Sequence, residues 1–266
     1  METRTNAIMR ELIERGYECQ LTKVIKNGIS KTGIVIKGKS NVSPTYYADE
    51  FEGNHKEVAE RIIKHYNDTH QADISFDIKS FTEWERVKNT LGVRLRKKCD
   101  DGAVTRDYLD LELCVVSYVE QNFIDGSTGT IKVLKEHLDL WDVTEDELFE
   151  IALARDEKHT VRSMNDLIPM PGGVPMWVLS NGANCYGASV LLNISIFSKL
   201  AEQVNEDLFI IPSSIHECIA VPASVGEAGE LLAMIRKVNT TDVAPEEVLS
   251  FSLYKYSRGS REITIE

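Results

Sequence analysis

The stretch Phe209-Ile-Ile-Pro-Ser-Ser-Ile-His-Glu-Cys-Ile-Ala-Val-Pro222 decides how the chain is read. One apolar run closes at Pro212 and a second at Pro222. Ser213, Ser214, His216 and Glu217 stand between them. Short apolar runs bounded by proline and serine read as strands. No other stretch sets so many chemically useful groups between two core elements, where a sheet can hold them rigidly.

On either side of this strand pair the apolar spacing predicts helices. Over 194–205, Ile196, Phe197, Leu200 and Val204 share one stripe, and over 227–238 Leu231, Leu232, Ile235 and Val238 do the same. A last strand is expected over Phe251–Tyr256. Upstream, Met176–Leu179 and Tyr186–Leu192 read as strands, Pro169–Pro175 as a rigid loop, and Thr144-Glu-Asp-Glu147 as a capping box opening a helix. Strands are expected over Tyr108–Val119 and Thr130–Leu134, with a turn at Asp125-Gly126. Nearer the start, a helix over 5–16 precedes two strands, 18–26 and 31–38. Asn27-Gly28 splits them, a hairpin signal because both residues tolerate positive φ. A helix follows over 54–67, then a short strand over 73–78. Ser80-Phe-Thr-Glu83 opens a further helix that Gly92 ends. Arg94-Leu-Arg-Lys-Lys98 reads as a solvated edge strand or helix end.

Strands and helices interleave without a strict βαβ rhythm. An α+β fold with mixed or antiparallel sheets is therefore expected. Cys99-Asp-Asp-Gly102 suggests a boundary between two sub-domains, 1–102 and 103–266, because the charge changes sign there. Residues 1–100 carry 18 Lys+Arg against 15 Asp+Glu, and residues 101–266 carry 12 against 27. The acidic second part disfavours binding of duplex nucleic acid at long range and favours a basic partner. No apolar run approaches the roughly 18–20 residues of a membrane span, and the first residues lack a signal region. A bacterial, cytoplasmic protein without membrane contact is expected.

The five cysteines, Cys19, Cys99, Cys114, Cys185 and Cys218, are scattered singly, without C-x-x-C spacing, and are expected to be reduced. No metal site or cofactor motif is read. His55 and His65 lie ten residues apart on one predicted helix. At 100° per residue they point roughly 80° apart and cannot share a metal.

Ser214 is a candidate nucleophile, His216 a base and Glu217 an orienting or acidic group. Neighbouring residues of a strand face opposite sides, so His216 and Glu217 act together only outside regular strand geometry. The stretch also lacks a Gly-x-Ser-x-Gly elbow. The structural alternative is a turn built on serine hydrogen bonds. Two loops, carrying Asn41, Ser43 and Tyr46 and carrying Asn181 and Tyr186, are candidate rims of a small-molecule site.

Several segments taken in order resemble an uncharacterised bacterial domain-of-unknown-function family frequent in anaerobic gut bacteria. They are Asn41-Val-Ser-Pro-Thr-Tyr-Tyr47, the run from His137-Leu-Asp-Leu-Trp141 through Thr144-Glu-Asp-Glu147 to Leu153, Met176-Trp-Val-Leu-Ser-Asn181, Leu208–Glu217 and Val243–Ser250. The chain departs from that family's pattern at the charged Arg155-Asp-Glu-Lys-His159. The resemblance implies no activity and no catalytic residue. The leading expectation is a non-enzymatic protein-interaction module offering an acidic face to a basic partner, one form being an inhibitor or accessory protein of a mobile element. The alternatives are a hydrolase using Ser214 and His216, and a small-molecule binding domain.

Overall fold

The computed structural model describes residues 3–38, 41–70, 77–108, 112–122, 128–155, 158–167 and 174–266. The expected strand at 73–78, save its last two residues, the turn at Asp125-Gly126 and the start of the Pro169–Pro175 loop lie outside the described residues. The chain forms two compact units, residues 1–90 with 119–131 and residues 91–118 with 132–266. The sequence division at 102 follows charge, whereas these units follow packing.

In the first unit, Thr3 caps helix α1 (Arg4–Glu14) by accepting the Asn6 N–H. Strands β1 (Cys19–Lys26) and β2 (Ile29–Ile36) pair antiparallel with Lys26 opposite Ile29. That leaves Asn27 and Gly28 as a two-residue turn, both at positive φ. β3 (Thr45–Tyr47) pairs with β2 to complete a three-stranded sheet. Asn54 then starts helix α2 (His55–His70): its Oδ1 accepts from the Lys56 and Glu57 N–H groups, and Glu57 reaches back to the Asn54 N–H. Ile8, Leu12, Ile34, Ile36, Tyr46, Val58 and Ile62 form the core between helices and sheet.

The helix expected from Ser80 to Gly92 is instead two short ones, α3 (Lys79–Thr82) and α4 (Trp84–Val87), with Glu83 between them in an extended conformation. Ser80 does not cap. Its hydroxyl lies within hydrogen-bond distance of the Asp77 carbonyl and of the Gln121 side chain.

The second unit begins with β4 (Leu91–Lys97), so Gly92 lies inside a strand rather than ending a helix. The Tyr118 ring lies over Gly92, where a Cβ would come within 2.7 Å of it. The basic run is correspondingly not solvated throughout, for Arg96 is buried. β5 (Thr105–Asp107) pairs with β6 (Leu113–Asn122), which also lies beside β4; from Val119 onward β6 belongs to the first unit, as does β7 (Thr128–Lys132), its other partner, up to Ile131. Helix α5 (Lys135–Trp141) has no sequence counterpart above. α6 (Glu145–Ala154) follows, capped by Thr144 Oγ1 accepting the Glu147 N–H.

β8 (His159–Ser163), α7 (Met164–Leu167) and β9 (Trp177–Asn181) lead to α8 (Ile194–Val204), then to β10 (Leu208–Ile211) and β11 (Cys218–Pro222). α9 (Ala228–Thr241), β12 (Tyr254–Ser257) and β13 (Glu262–Ile265) close the chain. Six of these strands form one sheet in the order β13-β12-β10-β11-β9-β8. The two strands of the opening stretch occupy its centre, antiparallel, with Ile211 opposite Ile219. Every pairing with a described register is antiparallel. The fold is α+β. The expected strand over Tyr186–Leu192 is a buried 3-10 helix at Gly187–Leu192. An unbroken apolar run has no period that separates a strand from another buried element.

Candidate functional site

Pro212 to Glu217 link the two central strands of the six-stranded sheet. The link is a hydrogen-bonded turn, as serine chemistry favours. Ser214 Oγ accepts the His216 N–H at 3.0 Å, and the Ser214 N–H donates to the Glu217 carbonyl at 3.2 Å. Ser213 Oγ lies 3.4 Å from Glu217 Oε1. The neighbouring Ile215 N–H donates to the Glu247 carbonyl at 2.8 Å, which ties the turn to the segment before β12.

His216 holds a second loop in place. Its Nδ1 accepts the Tyr186 N–H at 3.1 Å, so the ring proton sits on Nε2, which lies 3.5 Å from Glu247 Oε1. The Tyr186 and His216 rings stand 5.4 Å apart, and Tyr186 adopts a left-handed conformation with φ 56°. That conformation is uncommon outside glycine and is held here by the imidazole. On the Tyr186 ring lies the Arg94 guanidinium, 3.7 Å from the ring centre and 4.3 Å from that of Tyr118. Such stacking suits arginine's planar cation.

Beneath the turn, Ser180 Oγ donates to the His216 carbonyl at 2.7 Å. Gly187 passes so close that a Cβ would stand 2.5 Å from the Asn181 nitrogen and 2.8 Å from the His216 oxygen. Asn181 clamps its own turn, with Nδ2 donating to the Cys185 carbonyl and Oδ1 accepting the Cys185 N–H.

The structure thus brings Ser214, His216 and Glu217 together as turn-formers. Among the described residues no hydrogen bond joins Ser214 Oγ to the imidazole, whose two nitrogens face Tyr186 and Glu247. Of the other candidates, Asn181 and Tyr186 pack against this turn. Asn41, Ser43 and Tyr46 belong to the first unit. There Asn41 and Ser43 are exposed, while Tyr46 is buried with its hydroxyl 3.1 Å from His65 Nδ1. Burial, with Tyr66 nearby, pushes the Tyr46 phenol up to about 12. Nearest the turn, burial pushes the Cys218 thiol far up and makes it inert. Arg94 and Glu247 escaped the sequence reading as site residues because only the fold sets Arg94 beside Tyr118 and Tyr186, 24 and 92 positions away, and Glu247 beside His216, 31 positions away. Among the described residues no group of three or more His, Cys, Asp or Glu side chains is placed to hold a metal. No described helix is long and apolar enough to cross a membrane.

A second polar cluster lies at the end of β4. Arg96 donates two hydrogen bonds of 2.7 Å to the Asp101 carboxylate, and Lys132 donates a third. These cations hold the Asp101 carboxyl well below the usual carboxylate range, against the opposing effect of burial. Beside it opens a cleft of about 650 Å³.

The fold and this turn define an α+β protein with a tightly organised sheet centre. The chain belongs to the Family of unknown function (DUF5688), whose model matches residues 2–258. The comparisons found no matching curated protein and no matching solved structure.

Proposed function

We propose that this protein is a cytoplasmic, non-catalytic binding module that takes a basic protein partner on the outward surface of α5 and α6. The observation that carries the reading is one exposed leucine on each of two acidic helices. Leu140 on α5 is 53% exposed and Leu153 on α6 is 44% exposed. Glu136, Asp139, Asp142 and Glu150 are exposed on the same two helices and their link, while Asp146 pairs with Arg106. The helix dipole accounts for acids in a first turn. It does not account for Asp139, Asp142 or Glu150. Exposed apolar side chains on helices rich in exposed carboxylates suit a partner with apolar anchors and lysine or arginine at its rim.

The test uses purified protein to capture partners from its own cells at low and high salt. A basic protein should bind stoichiometrically, leave as salt screens the charges, and fail to bind the folded Asp139→Lys/Glu150→Lys variant. Capture unchanged by both salt and charge reversal would overturn the reading.

A small-molecule reading is favoured by one feature, a cleft of about 440 Å³ in the second unit walled by Val93, Leu192 and Ile194 with Arg155 and His159. A metabolite screen by thermal shift tests it, since a ligand binding only the folded state raises the melting temperature.

A further inference from the structure

In the three-stranded sheet β1 pairs with β2 alone, and among the described residues no strand lies on its other side. Such edges are ordinarily blunted by shortness, a bulge or a proline. β1 has none of these. It runs eight residues without proline, and its register with β2 is unbroken from Cys19–Ile36 to Lys26–Ile29. None of its residues is buried. The Lys37 N–H donates to the Glu18 carbonyl at 2.9 Å, so Glu18 faces β2. Alternation along the ladder turns the backbone groups of Gln20, Thr22, Val24 and Lys26 toward β2 as well. The N–H and C=O groups of Cys19, Leu21, Lys23 and Ile25 therefore point to the open side. Leu21 lies opposite Ile34, a core residue, and projects from the same face of the sheet. Yet Leu21 is 41% and Ile25 37% exposed.

We propose that a second copy of this chain pairs antiparallel along the open edge of β1, joining two three-stranded sheets into one continuous sheet. An antiparallel ladder matches outward-facing residues with outward-facing residues. Two registers of that kind overlap the strands most fully. One sets Lys23 directly opposite Lys23 of the second copy, and like charges so placed repel. The other puts the twofold axis at Thr22, with Leu21 opposite Lys23 of the second copy. Leu21 and Ile25 of the second copy then lie on the diagonals of Leu21, so the exposed apolar side chains of both chains cover one another. On the other face Lys26 comes opposite Glu18 of the second copy, and symmetry repeats the pair. Both side chains remain exposed beside their partners within one chain, Glu50 for Lys26 and Lys37 for Glu18. Charge thus selects the Thr22 register. One strand pair buries less than a standard interface, so the dimer forms reversibly as concentration rises.

The experiment follows the full chain by sedimentation equilibrium in reducing buffer over a wide range of concentration. A monomer–dimer equilibrium is expected. Lys23→Pro removes an N–H that only the second copy uses, so it should give a monomer with the circular dichroism of the unaltered chain. Lys26→Glu should weaken association by about tenfold, because two cross-strand charge pairs turn repulsive. Glu18→Lys combined with Lys26→Glu should restore it. Thr22→Cys reads the register. Residues facing each other outside the hydrogen-bonded pairs stand about 4.5 Å apart, within disulfide reach. Mild oxidation should link two copies through position 22, seen as a linked peptide by mass spectrometry, while Val24→Cys should give no link through position 24. A chain that stays monomeric at its highest soluble concentration would overturn the proposal and leave the edge to an extended segment of another protein. A dimer that survives Lys23→Pro, or one whose thiols at position 22 fail to link, would overturn it too.

Discussion

Asp101 shows how one side chain can organise the end of a strand. Its side chain is only 2% exposed, yet it carries a full charge beside Arg96 and Lys132, and its Oδ1 also accepts the Ala103 N–H at 3.3 Å. A buried carboxylate with two cations leaves unpaired charge behind when it is removed, which is the costly case for a buried ion pair. Asp101→Asn is therefore expected to destabilise the fold by about 3 kcal/mol, measured by chemical denaturation against the unaltered chain. Its carboxyl is held below the range of an unfolded aspartate, so the folded state binds fewer protons there. The stabilisation is fully present above the unfolded value of about 4 and is lost as pH falls through and below it. The unaltered chain should lose stability with acid more steeply than Asp101→Asn does. Parallel pH profiles would refute the assignment. None of this was legible in the sequence, where Cys99-Asp-Asp-Gly102 reads as a boundary between sub-domains. The ion cluster needs Lys132, brought from β7.

At the scale of elements, legibility followed capping chemistry and turn chemistry. Asn54 and Thr144 cap their helices through the side-chain oxygens that the sequence suggests. Asn27-Gly28 makes the expected turn. The pattern Ser80-Phe-Thr-Glu83 has the same letters but fails, because Ser80 Oγ is taken by the Asp77 carbonyl and Gln121. A partner 41 residues away competes with a local cap, and no window of sequence displays it. The run Gly187–Leu192 failed for a different reason. All but its last residue are buried, so no alternation marks a face, and the close approach of Gly187 to the Asn181 and His216 backbones shapes it. Since α6 owes its start to Thr144, Thr144→Ala should cost about 1 kcal/mol. Thr144→Asp should restore most of that, because aspartate caps equally well. Equal losses for both substitutions, read by thermal or chemical denaturation, would show that Thr144 acts by packing instead.

For the whole molecule, the sequence showed the α+β class through the interleaving of periodic segments, and it placed the central strand pair correctly. It showed less of where the chain divides, because charge and packing obey different rules. Charge changes sign near residue 100, but the first unit takes in 119–131 and releases β4 to the second. Among the described residues, this core cluster of the first unit and the side chains packed on it come from residues between Ile8 and Tyr66. Two helices on a three-stranded sheet thus bury their apolar faces against one another, although a domain this small has a marginal ratio of buried surface to chain entropy. A fragment of residues 1–70 is accordingly expected to fold alone with a low, cooperative melting transition by circular dichroism. Its pH response provides a check on native packing. The Tyr46 phenol is raised to about 12 in the folded state, so folding favours the neutral ring. Stability from this group is fully present below the unfolded phenol value of about 10 and disappears as pH rises to about 12. The fragment's melting temperature should fall across that window, and Tyr46→Phe should flatten the fall. A featureless spectrum at neutral pH would mean that the later segments of the unit are needed to hold this core together. A folded fragment whose alkaline profile ignores Tyr46→Phe would mean that the ring packs differently in isolation.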